Sequence, residues 1–396
     1  MGPWARWPTY ADVIGRLDKK PAVIGHSFGG LLTQIIAGRG LSAASVAIDS
    51  APIFQAATAN LNPPTPPSPS SSASSSRSRR RVLRSALHGG RTGHHDAMTE
   101  PYTVDWASHT DRLVAAAHSD ADWYDRLARE LVRPGDRVAV DVGCGGAGMT
   151  AALAVALGRH GVVVAVDADA EVLAAARSHL TAVVPPGAGR VDFVEADLAA
   201  GVAPLRDALD GPVDVVWASA SVHHLGDQQA GVTALAGLLA PGGRLALAEG
   251  GLSRRHLPWD LGIGDPGLEL RLDAAQDRWF ARMRAELPGT TRMPYGWTEA
   301  LRHAGLTQVT TRSTLLERPT PLDDGDRVRA VDGLNHRVDR LRPTGLLDAG
   351  DLAAWDRLLD PADPAWLGHR GDLGWLEVRS VHLGVRVGEA GGAQRG

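Results

Sequence analysis

The chain has 396 residues, 44% of them hydrophobic, a formal net charge of −4 and one cysteine, Cys144. That length supports a large core and is long for one domain, while a lone cysteine excludes an internal disulfide and a thiolate-rich zinc site and fits a reducing, cytoplasmic setting. Residues 1–97 hold 11 Lys and Arg against 4 Asp and Glu and the remainder 30 against 41, so the larger part is acidic and nucleic acid is not an expected partner.

Met1 to Tyr10 lacks the continuous apolar core of a signal peptide. Pro21 to Gly40 read as a buried strand, a tight glycine turn and an apolar helix, and a second strand, Ala44 to Ile48, ends at Asp49. The turn, Gly25-His26-Ser27-Phe28-Gly29, is a G-x-S-x-G sequence, whose small flanking residues permit the strained strand-to-helix turn that exposes a serine hydroxyl. Residues 1–61 therefore resemble part of an α/β-hydrolase, and a serine hydrolase or esterase acting through Ser27 is one alternative function. A nucleophilic serine also needs a histidine base, an orienting carboxylate and oxyanion donors. Few residues precede the strand, and Asp49 lies too early to match that family's triad acid, so a truncated relic with an inert Ser27 is expected. Asn62 to Arg81 form a Pro/Ser tract ending in arginines. It cannot bury enough apolar surface to offset its ordering entropy, and residues 62–97 are expected to be a disordered linker.

From Met98 onward (residues 98–396) strands alternate with helices. Asp105 to Leu131 predicts one or two helices. Arg137 to Val142, Val162 to Val166, Val191 to Glu195, Val213 to Trp217 and Arg244 to Ala248 read as strands, with helices at Thr150 to Leu157 and at Ala170 to Leu180, the latter capped by Asp169. The apolar stretch Val138 to Leu157 contains Asp141 and several glycines, so it is a strand, turn and helix and no membrane span is expected. A long insert including a helix at Leu268 to Glu286 precedes a helix at Trp297 to Ala304, and a second helical insert, Arg327 to Leu359, separates the strands Leu306 to Leu316 and Trp375 to Val385. The alternation implies a doubly wound α/β sheet.

The first strand runs into Asp141-Val142-Gly143-Cys144-Gly145-Gly146-Ala147-Gly148, which satisfies G-x-G-x-x-G, the dinucleotide fingerprint. An NAD-dependent oxidoreductase is thus a second alternative. The carboxylate of Asp141 argues against it, because an acid beside this turn repels a pyrophosphate and attracts the ammonium and sulfonium of S-adenosylmethionine. Asp167 ends the second strand, where a carboxylate accepts ribose hydroxyls, a placement that suits NAD equally well. Asp197 ends the third in VEADL, positioned to accept from an adenine amino group.

With DVGCGGAG, VVAVDAD, VEADL, VDVVWAS followed by VHHLGD, and LLAPGGRLAL in this order, the chain is similar to class I S-adenosylmethionine-dependent methyltransferases over roughly Asp105 to Val387. It looks like their small-molecule branch, of the ubiquinone/menaquinone-biosynthesis and actinobacterial secondary-metabolism kinds. Ala147 departs from the family's frequent glycine. The resemblance implies a Rossmann-like seven-stranded sheet with an antiparallel edge pair and helical lid insertions. It also implies that Asp141, Gly143 and Gly145 line the methionine portion, that Asp167 holds the ribose, that Asp197 and Leu198 flank the adenine, and that Ser219 lies beside the sulfonium.

The family's reaction is in-line displacement of the methyl group by an oxygen, nitrogen or carbon nucleophile of a small-molecule acceptor. Alignment and desolvation supply most of the catalysis, and a base is needed only where the nucleophile arrives protonated. His223 and His224, after the fourth strand, are the candidates, and Glu249, ending the fifth, is a third. A purely structural role for the VHHL turn is the alternative. The histidines and carboxylates show no metal-ligand spacing. Nine of the 11 tryptophans follow Met98, and those of the inserts, Trp259, Trp279, Trp297, Trp355 and Trp366, either wall an acceptor pocket or pack the inserted helices.

Overall fold

The computed structural model describes residues 106–388 and, nearer the N-terminus, residues 14, 16–26, 33, 36–37 and 40–48. The chain divides into two units, residues 1–93 and 94–396. In the first, strands β1 (Ala22–His26) and β2 (Ala44–Ile48) pair in parallel, with Ala22 opposite Ala44 and His26 opposite Ile48. Ser27, Asp49 and the tract from Asn62 to Arg81 lie outside the described residues.

The second unit is organised by two valine runs, β3 (Val138–Val142) and β4 (Val162–Asp167). Both are covered on both faces, which is why they read as continuous apolar segments and do not alternate. Beside them stand β5 (Arg190–Glu195), β6 (Val213–Ser219), β7 (Leu239–Arg255), β8 (Thr307–Glu317) and β9 (Leu376–Val385), in the sheet order β5-β4-β3-β6-β7-β9-β8. The first five strands in that order are parallel. Strand β9 is antiparallel to β7, and β8 to β9. This is the Rossmann-like, doubly wound sheet with an antiparallel edge pair expected from the sequence. Its strand order reverses between β3 and β6, and the carboxyl ends open a crevice there.

Helices α1 (Thr110–Ser119) and α2 (Ala121–Leu131) precede the sheet, and α3 (Gly148–Leu157), α4 (Ala170–Val183), α5 (Ala203–Asp207) and α6 (Gln228–Ala236) alternate with its strands. The predicted cap of α4 is in place: Asp169 accepts from the backbone N–H of Glu171 and Val172, at 2.8 and 3.1 Å. Successive residues of β6 feed opposite cores. Trp217 packs with Trp123, Leu127 and Leu153 of α2 and α3, while Val216 packs with Leu235 of α6 and Leu301 of α8 (Trp297–His303). The short α5 and α6 were not foreseen; both carry little apolar periodicity of their own.

The inserts build a further layer. Helices α7 (Leu268–Glu286), α9 (Asp324–Leu341) and α10 (Ala349–Leu359) share a core of Leu272, Leu334, Val338, Trp355 and Leu358. Trp355 is fully buried in it, Trp279 packs against it and Trp297 packs on the sheet core, whereas Trp259 is exposed. Strand β7, expected at Arg244 to Ala248, continues to Arg255 because β9 carries it past its parallel neighbour, pairing Gly251 with Arg379 and Arg255 with Leu376. Among the described residues no helix is long and apolar enough to cross a membrane.

Candidate active site

The loop after β3 is shaped by what its glycines leave out. Gly143 sits at φ +66° and Gly145 at φ +51°, the left-handed region that glycine enters without penalty. A Cβ on Gly143 would lie 2.7 Å from Cβ of Ser221, and one on Gly146 only 2.2 Å from the carbonyl oxygen of Leu113. The first glycine thus lets the loop meet the end of β6, and the later one lets α1 lie against the loop. Ala147, the departure from the family pattern, is fully buried at φ +61° and caps α3 from the left-handed region.

At the switch point the crevice closes into a cavity of about 290 Å³. Its wall includes Gly143, Gly145, Asp167, Asp197, Leu198 and Ser219, six of the residues predicted for the cofactor, together with Trp106, Val172, Ser221, His224 and Leu225. Asp167 accepts from the backbone N–H of Gly145 at 3.0 Å and of Asp169 at 3.3 Å, so the strand end and the glycine loop hold each other. Burial raises its carboxyl above the usual range. Asp197 accepts from the N–H of Ala199 at 2.8 Å while lining the cavity.

Asp141 departs from expectation. It is 2% exposed and lies behind the wall, accepting the hydroxyl of Thr150 at 2.6 Å. Burial pushes its carboxyl up to about 7. A strand interior alternates its side chains, and at this position the alternation turns Asp141 toward α3. The preference for a cationic ligand therefore rests on Asp167 and Asp197: among the described residues the wall holds two carboxylates and neither Lys nor Arg.

The two histidines part company. His223 lines a neighbouring cavity of about 390 Å³, whose wall also includes Glu249, Asp120, Trp123, Tyr124 and Arg379. Its Nδ1 lies 2.7 Å from Oε2 of Glu249. Glu249 is 3% exposed, and its Oε1 accepts from the backbone N–H of Ser221 and Val222, at 3.1 and 2.9 Å. Glu249, foreseen as a possible base, has both oxygens engaged and is the holder of the imidazole. His224 faces the 290 Å³ cavity. Its ring stands edge-on to Trp106 at 5.5 Å and 4.2 Å from that of His223. Burial, then His223, Arg284 and Arg340, push it down to about 4, so it is neutral at pH 7.

Two parts of the site escaped the sequence reading. Arg284, at the end of α7, donates to the carbonyl oxygens of His223 at 2.9 Å, Gly226 at 3.1 Å and Leu225, clamping the turn that carries both histidines. Arg379 on β9 pairs with Glu377 and Asp120, each at 2.8 Å, and closes the far side of the His223 cavity. Arginines interrupting an apolar helix face and an alternating strand were the available signals.

Sheet order and switch-point cavity together are those of the class I methyltransferase fold. The model of a methyltransferase domain family matches residues 140–245, from β3 into β7. Uncharacterized methyltransferases of Mycobacterium bovis and Mycobacterium tuberculosis are each 34% identical over 124 residues, 31% of this chain and 56% of the relative. The chain thus spans about half the length of the curated relatives it matches. Among solved structures, an O-methyltransferase family protein from Burkholderia thailandensis is 16% identical, with a TM-score of 0.37, covering 72% of this chain and 60% of that one.

Proposed function

We propose that this unit transfers a methyl group from S-adenosylmethionine to a protonated nucleophile of a small-molecule acceptor, with His223 as the base and Glu249 positioning it. The observation that carries this reading is a shared wall. Ser219 and Ala220, at the end of β6, bound both the acidic cavity and the cavity that holds His223.

The residues of the acidic cavity fit the methyl donor. When bound, S-adenosylmethionine supplies a methyl group on a sulfonium, already an excellent leaving group. Asp167 would accept the ribose hydroxyls and Asp197 the adenine amino group, while Val172, Leu198 and Leu225 offer apolar flanks. With carboxylates and, among the described residues, no guanidinium or ammonium in the wall, a cationic ligand is favoured and a pyrophosphate repelled, which argues against the NAD alternative.

On the other side of Ser219 the pair His223–Glu249 has the geometry of a base with its orienter. The carboxylate accepts from Nδ1–H, which leaves the Nε2 lone pair to take a proton. Glu249 also stabilises the imidazolium that forms. His224, neutral and against Trp106, serves as wall. Leu113 of α1 lies against Gly145 and Gly146 of the glycine loop, which keeps water from that side of the site, the condition under which alignment is most effective.

The test is methyl transfer from isotopically labelled S-adenosylmethionine to a panel of hydroxylated small molecules, read by mass spectrometry. Labelled product is expected from the wild-type chain. His223→Ala should lose about 10²–10⁴ in rate while binding S-adenosylhomocysteine normally. An unchanged rate in His223→Ala contradicts the assignment of the base.

A further inference from the structure

The charged groups around the 390 Å³ cavity of His223 are already engaged with one another. Arg379, the one guanidinium in the wall among the described residues, pairs with Asp120 and Glu377, each at 2.8 Å. Glu377 also accepts from Arg254, which reaches it from outside the wall at 3.0 and 2.9 Å. Glu249 is held by two backbone N–H groups and His223, and the hydroxyl of Ser380 stands 2.8 Å from that of Ser313. Three carboxylates thus meet two guanidiniums, and no cation is left over for an anionic ligand.

Tyr124 is different. On α2 the residues Trp123, Leu127 and Leu131, spaced four apart, face the core. Tyr124 is carried about 100° further round the helix, to the rim of that face. Its ring covers the start of α3, where a Cβ on Gly148 would lie 2.6 Å from its Cε2, and it packs on Trp123 with centroids 5.1 Å apart. The last glycine of the G-x-G-x-x-G sequence therefore makes room for this ring. Phenylalanine would pack as well, so packing leaves the hydroxyl unexplained. Tyr124 is half-buried in the cavity wall and its hydroxyl makes no hydrogen bond among the described residues, and a hydroxyl drawn from water without a partner costs free energy. Burial first, then Asp120, raises the phenol above the ordinary tyrosine value, so it is a donor at pH 7. The other groups of the wall left without a partner are Nε2 of His223, the hydroxyl of Ser219 on the shared wall and the indole N–H of Trp123, which is sealed in.

Resting on the methyltransferase reading, we propose that Tyr124 selects the acceptor, donating its hydroxyl to an oxygen that the acceptor carries besides the nucleophilic one. The acceptor is then an uncharged molecule with two oxygens: a hydroxyl whose proton Nε2 of His223 takes, and a carbonyl or ether oxygen that accepts from Tyr124. An added negative charge would face Glu249, which has no arginine or lysine partner among the described residues.

The experiment titrates the full chain and its Tyr124→Phe variant with 3- and 4-hydroxyacetophenone, with 3- and 4-ethylphenol, which lack the carbonyl, and with 4-hydroxybenzoate. Each titration is made with and without saturating S-adenosylhomocysteine and read by ligand-observed NMR. At least one ketone should bind the wild type saturably, about three- to tenfold more tightly than its ethylphenol and more tightly than hydroxybenzoate. Tyr124→Phe should bring that ketone to the level of the ethylphenol while leaving the ethylphenol and S-adenosylhomocysteine unchanged; a merely structural role would weaken ketone and ethylphenol alike. No saturable binding of either ketone, equal affinity for ketone and ethylphenol in the wild type, equal losses of both in the variant, or no loss of the ketone overturns the proposal. Tighter binding of hydroxybenzoate than of the ketones overturns the choice of an uncharged acceptor. Failure to bind S-adenosylhomocysteine would count against the methyltransferase reading separately, since ketone and ethylphenol are also compared without it.

Discussion

Glu249→Gln isolates the role of the carboxylate behind His223, because it changes one oxygen to a nitrogen and leaves the volume alone. Oε1 faces two backbone N–H groups, those of Ser221 and Val222 at 3.1 and 2.9 Å, so the glutamine must keep its oxygen there. Its amino group then meets Nδ1 of His223 across 2.7 Å, where an N–H already stands in the wild type. Two donors cannot share that line. The imidazole escapes by moving its proton to Nε2, and the lone pair that would accept a proton disappears. Restoring the productive tautomer means burying a donor facing a donor, about 1–3 kcal/mol. Losing the negative charge under a developing imidazolium adds to it, so a drop of about 10²–10⁴ in kcat is expected, roughly 3–5 kcal/mol. Affinity for S-adenosylhomocysteine should stay within about threefold (under 1 kcal/mol), since Glu249 does not line the acidic cavity. Nitrogen-15 NMR of labelled histidine reads the tautomer directly and needs no acceptor: protonated Nδ1 in the wild type, protonated Nε2 in the variant. The same His223 tautomer in both proteins, or an undiminished kcat, refutes the reasoning.

Asp167→Ala should weaken S-adenosylhomocysteine about ten- to a hundredfold by calorimetry, through loss of charge-assisted hydrogen bonds of about 1.5–3 kcal/mol each, with the fold retained by circular dichroism. Gly146→Ala puts a Cβ within 2.2 Å of the Leu113 carbonyl oxygen and should push α1 off the glycine loop, costing about 1–3 kcal/mol and lowering Tm. Asp141→Asn tests the buried carboxyl. Because folded Asp141 keeps a proton up to about 7 while unfolded aspartate releases it near about 4, the wild type has this stabilisation in full below about pH 4 and loses it as pH rises to about 7. The variant lacks that loss, so its stability relative to the wild type should rise by about 2–3 kcal/mol from pH 5 to pH 8, read as a growing difference in Tm.

The parallel half of the sheet was legible in the sequence because its strands are buried on both faces and punctuated by glycines and acids. Asp167 and Asp197 follow from their strand-end positions and Gly143 and Gly145 from the family resemblance, and all four line the cavity. Asp141 could be located but not oriented, since which way a strand-end side chain turns depends on the partner offered by α3, here Thr150. The pairing of His223 with Glu249 spans 26 residues and depends on the parallel register of β6 and β7, in which Ser219 stands opposite Ala248. No local pattern encodes that.

The central claim is that the switch-point cavity takes a cationic nucleoside and no pyrophosphate. Isothermal titration of the full chain with S-adenosylmethionine, S-adenosylhomocysteine, NAD and NADP tests it without knowledge of the acceptor. Saturable binding of the first two, one per chain, with no heat from the dinucleotides, is the predicted result. Binding of NAD or NADP in preference to S-adenosylmethionine would contradict it.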